Sequence, residues 1–289
     1  MSTGDESARM RAGDESARMR AGDESARMRA GDDVTVVRES AVAWLTLDRP
    51  DDDNRLTEAA LARLQAIAAE LADARDVNVV VIRGRGDAVF SMGILNPTIR
   101  AALAKDDVLR VVFLANTVFD AIEALPQIVI AGLNGTLRAG AVELALACDI
   151  RVAAAHARLA MPEAKWGGFP GAGAPVRLPG LVGRGRALEL IATGREIDAD
   201  EMARIGLVEH VYPSAGFEAA LRRLAADIAA SGPLATRGAK RIVRVRDEPG
   251  RRAARELSDA LRAALEWSQD VEEGMAAHRE GRVAKFTGR

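Results

Sequence analysis

The chain has 289 residues, 48% hydrophobic and 28% charged, enough apolar material for one large core or two modest ones. A formal net charge of -2 excludes a general attraction to nucleic acid or to an anionic membrane surface. Its one cysteine, Cys148, excludes an intrachain disulfide and a cysteine-based metal cluster, and fits a reducing, cytoplasmic setting.

Residues 1–31 are dominated by three copies of a nonapeptide, Gly4-Asp-Glu-Ser-Ala-Arg-Met-Arg-Ala12 and repeats beginning at Gly13 and Gly22. A period of nine matches no helical stripe, and each unit offers one large apolar side chain, so a disordered tail is expected. No apolar run approaches the eighteen residues of a membrane span, and the N-terminus lacks the apolar core of a secretion signal. From Val34 the pattern changes. Val34–Val37 and Val42–Leu47 read as a β-hairpin, and Thr57 as the cap of a helix carrying Leu61, Leu64, Ala68 and Leu71 on one face. Residues 77–82 then read as a buried strand, 106–124 as a helix, and 128–130 as a further strand that ends in an Asn134-Gly135 turn. This alternation predicts an α/β core over residues 32–215 with right-handed crossovers. Beyond Pro213 the stripes Phe217, Leu221, Leu224, Ile228 and Leu257, Leu261, Leu265 predict a helical segment over 216–289. Within it Arg237, Lys240, Arg241, Arg244 and Arg246 form the densest basic run. Without interleaved aromatics it reads as a solvated face or subunit rim rather than a nucleic-acid site. His156, His210 and His278 lack metal-ligand spacing, so no metal is expected.

Two glutamates stand in distinctive frames: Glu143 in Asn134-Gly-Thr-Leu-Arg-Ala-Gly-Ala-Val-Glu-Leu-Ala-Leu-Ala-Cys-Asp149, and Glu163 in Met161-Pro-Glu-Ala-Lys-Trp-Gly-Gly-Phe-Pro-Gly-Ala-Gly173. With Leu47-Asp-Arg-Pro50 and Asn54, Phe90-Ser-Met-Gly93, Ala192-Thr-Gly194, Ile205-Gly-Leu-Val208, Glu273-Gly-Met-Ala-Ala277 and Lys285-Phe-Thr-Gly-Arg289, the order of motifs resembles the enoyl-CoA hydratase/isomerase (crotonase) family over about residues 33–289. The resemblance implies a spiral of ββα turns followed by C-terminal helices that join subunits into a homotrimer or hexamer.

The resemblance also assigns roles. Glu143 would hold and deprotonate water, and Glu163 would protonate the α-carbon of an enoyl thioester. The main-chain amides of Ile94 and Gly140 would form the oxyanion hole, and Gly140 falls where the first turn of a helix leaves amides without internal partners. Gly171 would let backbone approach the water, and Leu95 and Trp166 would wall the acyl pocket. Arg55, Arg282 and Lys285 would contact the phosphates of coenzyme A, which enters as part of the substrate and not as a separate cofactor. Alone, each glutamate would more often be solvated and each arginine or lysine a surface residue.

Several positions depart from the family pattern. Gly93-Ile-Leu-Asn-Pro97 stands where Gly-Ala-Asp-Leu is common, which removes an acidic residue and introduces Pro97 into the loop. Arg138 and Ala139 replace two of three usual glycines, and Trp166 follows Lys165 in place of an aliphatic pair. Retention of both glutamates predicts hydration of a 2-enoyl-CoA. Double-bond isomerisation, another crotonase-type lyase or hydrolase reaction, and a drifted acyl-CoA-binding or scaffold protein are the alternatives.

Overall fold

Runs of valine and isoleucine bounded by polar turns set the strands, and the computed structural model describes residues 33–166, 168–247, 269–280, 282–283 and 285–289. β1 (Val34–Glu39) and β2 (Val42–Leu47) form the expected antiparallel hairpin, with Ser40 at φ 52° in its turn. The chain then crosses over through α1 (Glu58–Ala72), whose first turn is capped by Thr57 Oγ1 accepting from the Ala60 amide at 3.1 Å. Leu61, Leu64, Ala68 and Leu71 are buried on one face of α1, as their spacing predicts.

A six-stranded sheet has the order β1-β2-β3-β5-β7-β10, with β3 (Val79–Gly84), β5 (Ile128–Leu133), β7 (Ile150–Ala154) and β10 (His210–Tyr212). From β2 onward every pairing in it is parallel. A second, four-stranded sheet has the order β4-β6-β8-β9, from β4 (Val89–Ser91), β6 (Thr136–Arg138), β8 (Arg158–Ala160) and β9 (Ile197–Asp198). The pairs β3–β4, β5–β6 and β7–β8 thus each place one strand in the large sheet and the next in the small one. Close backbone crossings fix the passes relative to one another. A side chain at Gly135 would lie 2.2 Å from the Ala88 carbonyl oxygen, so this turn admits only glycine. Buried Asn134 closes the same corner by accepting from the Gly84 amide at 2.8 Å and donating to the Gly86 carbonyl at 2.9 Å.

Helices α2 (Pro97–Ala101), α3 (Lys105–Ala124), α4 (Gly140–Leu146), α5 (Ala174–Val182), α6 (Arg184–Thr193) and α7 (Ala199–Arg204) complete the spiral. Helix α2 was not expected from the sequence. Asn96 caps it by accepting from the Ile99 amide at 2.8 Å, and Pro97 occupies its first turn. Helix α8 (Phe217–Ala229) covers the outer face of the large sheet, where Phe217 and Leu221 pack with Trp44, Val79, Val81 and Ile130. Among the described residues no helix is long and apolar enough to cross a membrane. The nonapeptide repeat and the Leu257, Leu261, Leu265 stripe lie outside the described residues, whereas α10 (Gln269–Glu280) lies within them.

The basic run on α9 (Pro233–Asp247) corrects the expectation of a uniformly solvated face. Lys240 is buried and donates to the Gln127 carbonyl at 2.8 Å and to Asp149 Oδ2 at 2.6 Å. Arg237 likewise turns inward, donating to the Val77 carbonyl at 3.0 Å. Burial holds the Asp149 carboxyl above its ordinary proton affinity even with Lys240 beside it. Lys240 thereby ties α9 to the end of β5. Truncation in Lys240→Ala leaves Asp149 without its cation and is expected to cost about 3 kcal/mol, against under about 0.5 kcal/mol for exposed Arg241→Ala, measured by denaturant unfolding.

Candidate active site

Strands β4, β6 and β8 run parallel side by side, with Val89 paired to Thr136, Ser91 to Leu137, and Leu137 to Leu159. Their C-terminal ends therefore open at one edge, and the segment after each contributes to one cleft. Beyond β4 come Gly93, Ile94 and Leu95; beyond β6, Gly140 and Glu143; beyond β8, Glu163 and Trp166 in a 3-10 turn spanning Pro162–Trp166. All but Gly93 line the same cleft, which measures about 590 Å³ with its open mouth included. The two glutamates and the two backbone donors singled out in the sequence thus converge.

The segments that carry Ile94 and Gly140 are in direct contact. Gly93, at φ 80°, has no room for a side chain: one would meet the Arg138 carbonyl oxygen at 2.5 Å and the Gly140 nitrogen at 2.9 Å. Gly140 in turn accommodates the Ile94 side chain, whose Cδ1 would lie 2.6 Å from an added Cβ. Among the described residues no backbone acceptor takes the amide of Ile94 or of Gly140, although both residues are buried. Two buried donors without acceptors are suited to a developing anion. Ala139, between Arg138 and Gly140, holds φ 51° and ψ -126°, a conformation that favours glycine, so this departure from the family pattern stores backbone strain on the order of 1–3 kcal/mol. Arg138 does not line the cleft; it pairs with Glu196 at 2.6 Å.

Glu143 is 3% exposed on α4. Its Oε1 accepts from the amides of Ala172 at 2.7 Å and Ala174 at 3.0 Å, leaving Oε2 with no hydrogen-bond donor among the described residues. Burial pushes its proton affinity up to about 7; the Ala174 amide opposes the rise, the Glu163 charge adds to it, and the Ala172 amide and Arg177 oppose it. Burial also pushes Glu163 up to about 7, with only its own amide in opposition, and Glu163 Oε2 is buried without a partner. Both carboxyls therefore hold a proton near neutrality, raised mainly by burial.

The remaining expected residues fall into two groups. Leu95, Trp166 and Gly171 line the cleft, with Trp166 40% exposed at its rim. The lack of a side chain at Gly171 makes room for Val112, whose Cγ1 would lie 2.9 Å from an added Cβ, and the close backbone approach is made to Glu143 by the amides of Ala172 and Ala174. By contrast, Arg55, Arg282 and Lys285 do not line this cleft. The Arg55 guanidinium bonds to Asp52 at 3.3 Å and to the Met92 carbonyl at 3.3 Å; Arg282 pairs with Glu273 at 2.6 Å, and the exposed Lys285 donates its backbone amide to Glu273 at 2.7 Å. Arg100, from α2, and exposed Phe169 join the lining and were not singled out from the sequence.

Residues 37–289 match the sequence profile of the family described as enoyl-CoA hydratase/isomerase. This chain belongs to that family. YngF of Bacillus subtilis (strain 168) is 37% identical to it over 252 residues, 87% of this chain and 96% of YngF. The crotonyl-CoA hydratase of Syntrophomonas wolfei is 32% identical over 253 residues, 88% of this chain and 97% of that protein. The crystal structure of the enoyl-CoA hydratase from Bacillus anthracis superposes with a TM-score of 0.86 at 34% identity, covering 89% of this chain and all of that one. The fold is that of the crotonases, a mixed α/β spiral of the kind the motif order implied.

The raised proton affinities carry a stability consequence for this hydratase/isomerase family member. A carboxyl with an ordinary value of 4.5 that is held near 7 in the folded protein destabilises the fold as pH rises between those values, and fully above them. Glu163→Gln removes that buried charge. It is expected to raise stability at about pH 8 by on the order of 2 kcal/mol and to have no such effect near pH 4, read from unfolding midpoints at the two pH values.

Proposed function

We propose that the protein hydrates a 2-enoyl-CoA thioester. The observation that carries this reading is the convergence of Glu143, Glu163 and the amides of Ile94 and Gly140 on one cleft. In the reaction proposed, Glu143 Oε2 takes a proton from water as the water oxygen bonds to Cβ. The electron pair of the double bond moves onto the thioester carbonyl, and the resulting enolate oxygen is held by the two amides. Glu163, protonated, then delivers its proton to Cα. One water is consumed, one C–O and one C–H bond form, and a proton returns from Glu143 to Glu163 to restore the pair. At neutral pH two carboxyls with affinities near 7 are each partly protonated, so a form with one base and one acid is well populated. Acyl-CoA is the partner this reading requires, and the reaction balances with no further group.

The apolar lining from Leu95, Val108, Val112, Trp166 and Phe169 fits the acyl chain. Retention of both carboxyls favours hydration over isomerisation, since moving a double bond along the chain needs a proton returned to carbon but no water held beside a second base. Turnover of crotonyl-CoA and of longer and aromatic 2-enoyl-CoAs tests the reading. Glu143→Gln and Glu163→Gln are each expected to lower kcat by about 100-fold or more. Shift of a 3-enoyl-CoA double bond without hydration of any 2-enoyl-CoA would replace the reading with isomerisation. Acyl-CoA binding without turnover of either would replace it with a binding role.

A further inference from the structure

The turn that binds Glu143 is itself held by one face of helix α3. Val112, Asn116 and Asp120 are spaced by four and so share that face. Val112 packs against Gly171, Asn116 Nδ2 donates to the Gly171 carbonyl at 2.8 Å, and Asp120 pairs with Arg177. Arg177 also bonds to Glu123 at 2.9 Å and donates to the Ala172 carbonyl at 3.3 Å. The Gly171 carbonyl and the Ala172 N–H belong to one trans peptide group and point in opposite directions. Asn116, that peptide and Glu143 therefore form a single hydrogen-bonded chain, from the side-chain amide to the carbonyl and from the N–H to Oε1 at 2.7 Å. Donation to a peptide carbonyl polarises the group and strengthens what its N–H can donate.

We propose that Asn116 is a positioning residue of this site, which aims and polarises the Ala172 N–H that binds Glu143 and so sets the pH at which Glu143 becomes a base. Asn116 itself does not line the cleft. Its kinetic half rests on the reading of Glu143 as the base for hydration; its equilibrium half does not. The charged and titratable groups facing Glu143 are Glu163 from the turn after β8 and Arg177 from α5, with Asp120 and Glu123 of α3 neutralising Arg177, and Arg100 of α2 at the cleft wall. Arg177 also donates to the Ala172 carbonyl at 3.3 Å, whereas the Gly171 carbonyl is bonded by Asn116. Removing the Asn116 donor weakens an interaction that favours the anion, so the Glu143 carboxyl must rise further.

Asn116→Leu keeps the volume and removes the donor, and Asn116→Ala removes the donor; neither adds a titratable group. In enoyl-CoA hydration both are expected to move the acidic limb of the kcat profile upward by about one pH unit, with kcat down about tenfold near pH 6 and nearly recovered near pH 9. KM is expected to stay within about twofold. A purely structural role would instead lower kcat by the same factor at every pH, and that result would overturn the proposal. Unfolding midpoints supply the readout that needs no turnover. The stability deficit of each variant should widen as pH rises from about 6 to 9 in the native background and stay flat in a Glu143→Gln background. Deficits flat in both backgrounds would overturn the proposal even if hydration is confirmed. A wild-type protein that hydrates nothing would sink the hydratase reading and leave the stability comparison to decide this one. If Asn116→Leu does not fold, the smaller Asn116→Ala carries both comparisons.

Discussion

Parallel pairing of β4, β6 and β8 is the constraint on which the site depends. The three strands are three residues each, and their ladders are short. Because they are parallel, their C-terminal ends must emerge together, and because each belongs to a different pass of the spiral, segments far apart in sequence are delivered to one place. A one-residue slip between β4 and β6 would reverse which side chains face inward and separate Ile94 from Gly140. Gly93 and Gly140 hold that register from the loop side, since each makes room for the other segment, the first for backbone and the second for the Ile94 side chain. The strain at Ala139 is tolerated in the same corner, pinned by its amide bonding to the Ala160 carbonyl at 3.0 Å.

Within that frame two opposing effects set the chemistry. Burial favours the neutral form of both glutamates, whereas amides oppose it at both, those of Ala172 and Ala174 at Glu143 and only its own at Glu163. Burial dominates at both, so both lie near neutrality. The asymmetry between them comes from hydrogen bonds: Glu143 has the amides of Ala172 and Ala174, and Glu163 Oε2 has no partner. That asymmetry favours the anion at Glu143 and the neutral form at Glu163, while the Glu163 charge adds to the rise at Glu143. Cys148 takes no part. Burial pushes its thiol up to about 12, and it donates to the Leu144 carbonyl at 3.5 Å as a core residue of the turn after α4.

Much of this was legible in the sequence because it is local. Thr57 announced the cap of α1, the valine runs announced β1, β2 and β3, and the frames around Glu143 and Glu163 announced the carboxyls and the Gly140 donor. Asn96-Pro97 also carried a helix-start signal, a capping side chain followed by a residue suited to the first turn, yet as a departure from the family pattern it read as a disturbed loop. Other features were not legible because they depend on distant segments. Lys240 looked like one charge in an exposed basic run until packing placed Asp149 and the Gln127 carbonyl around its ammonium. Arg55 looked free until the Met92 carbonyl came within 3.3 Å. Asn116 gave one faint sign, a poor helix former in the middle of a long helix, but its partner, the Gly171 carbonyl, lies 55 residues away.

The account stands on three strand ends surrounding one thioester. A crystal structure of the protein with a non-reacting acyl-CoA thioester tests that most directly. The account predicts the thioester oxygen within hydrogen-bonding distance, about 3 Å, of both the Ile94 and Gly140 amides, with the Cα–Cβ bond between the carboxyls of Glu143 and Glu163. A thioester bound elsewhere, or one whose oxygen meets neither amide, would contradict it.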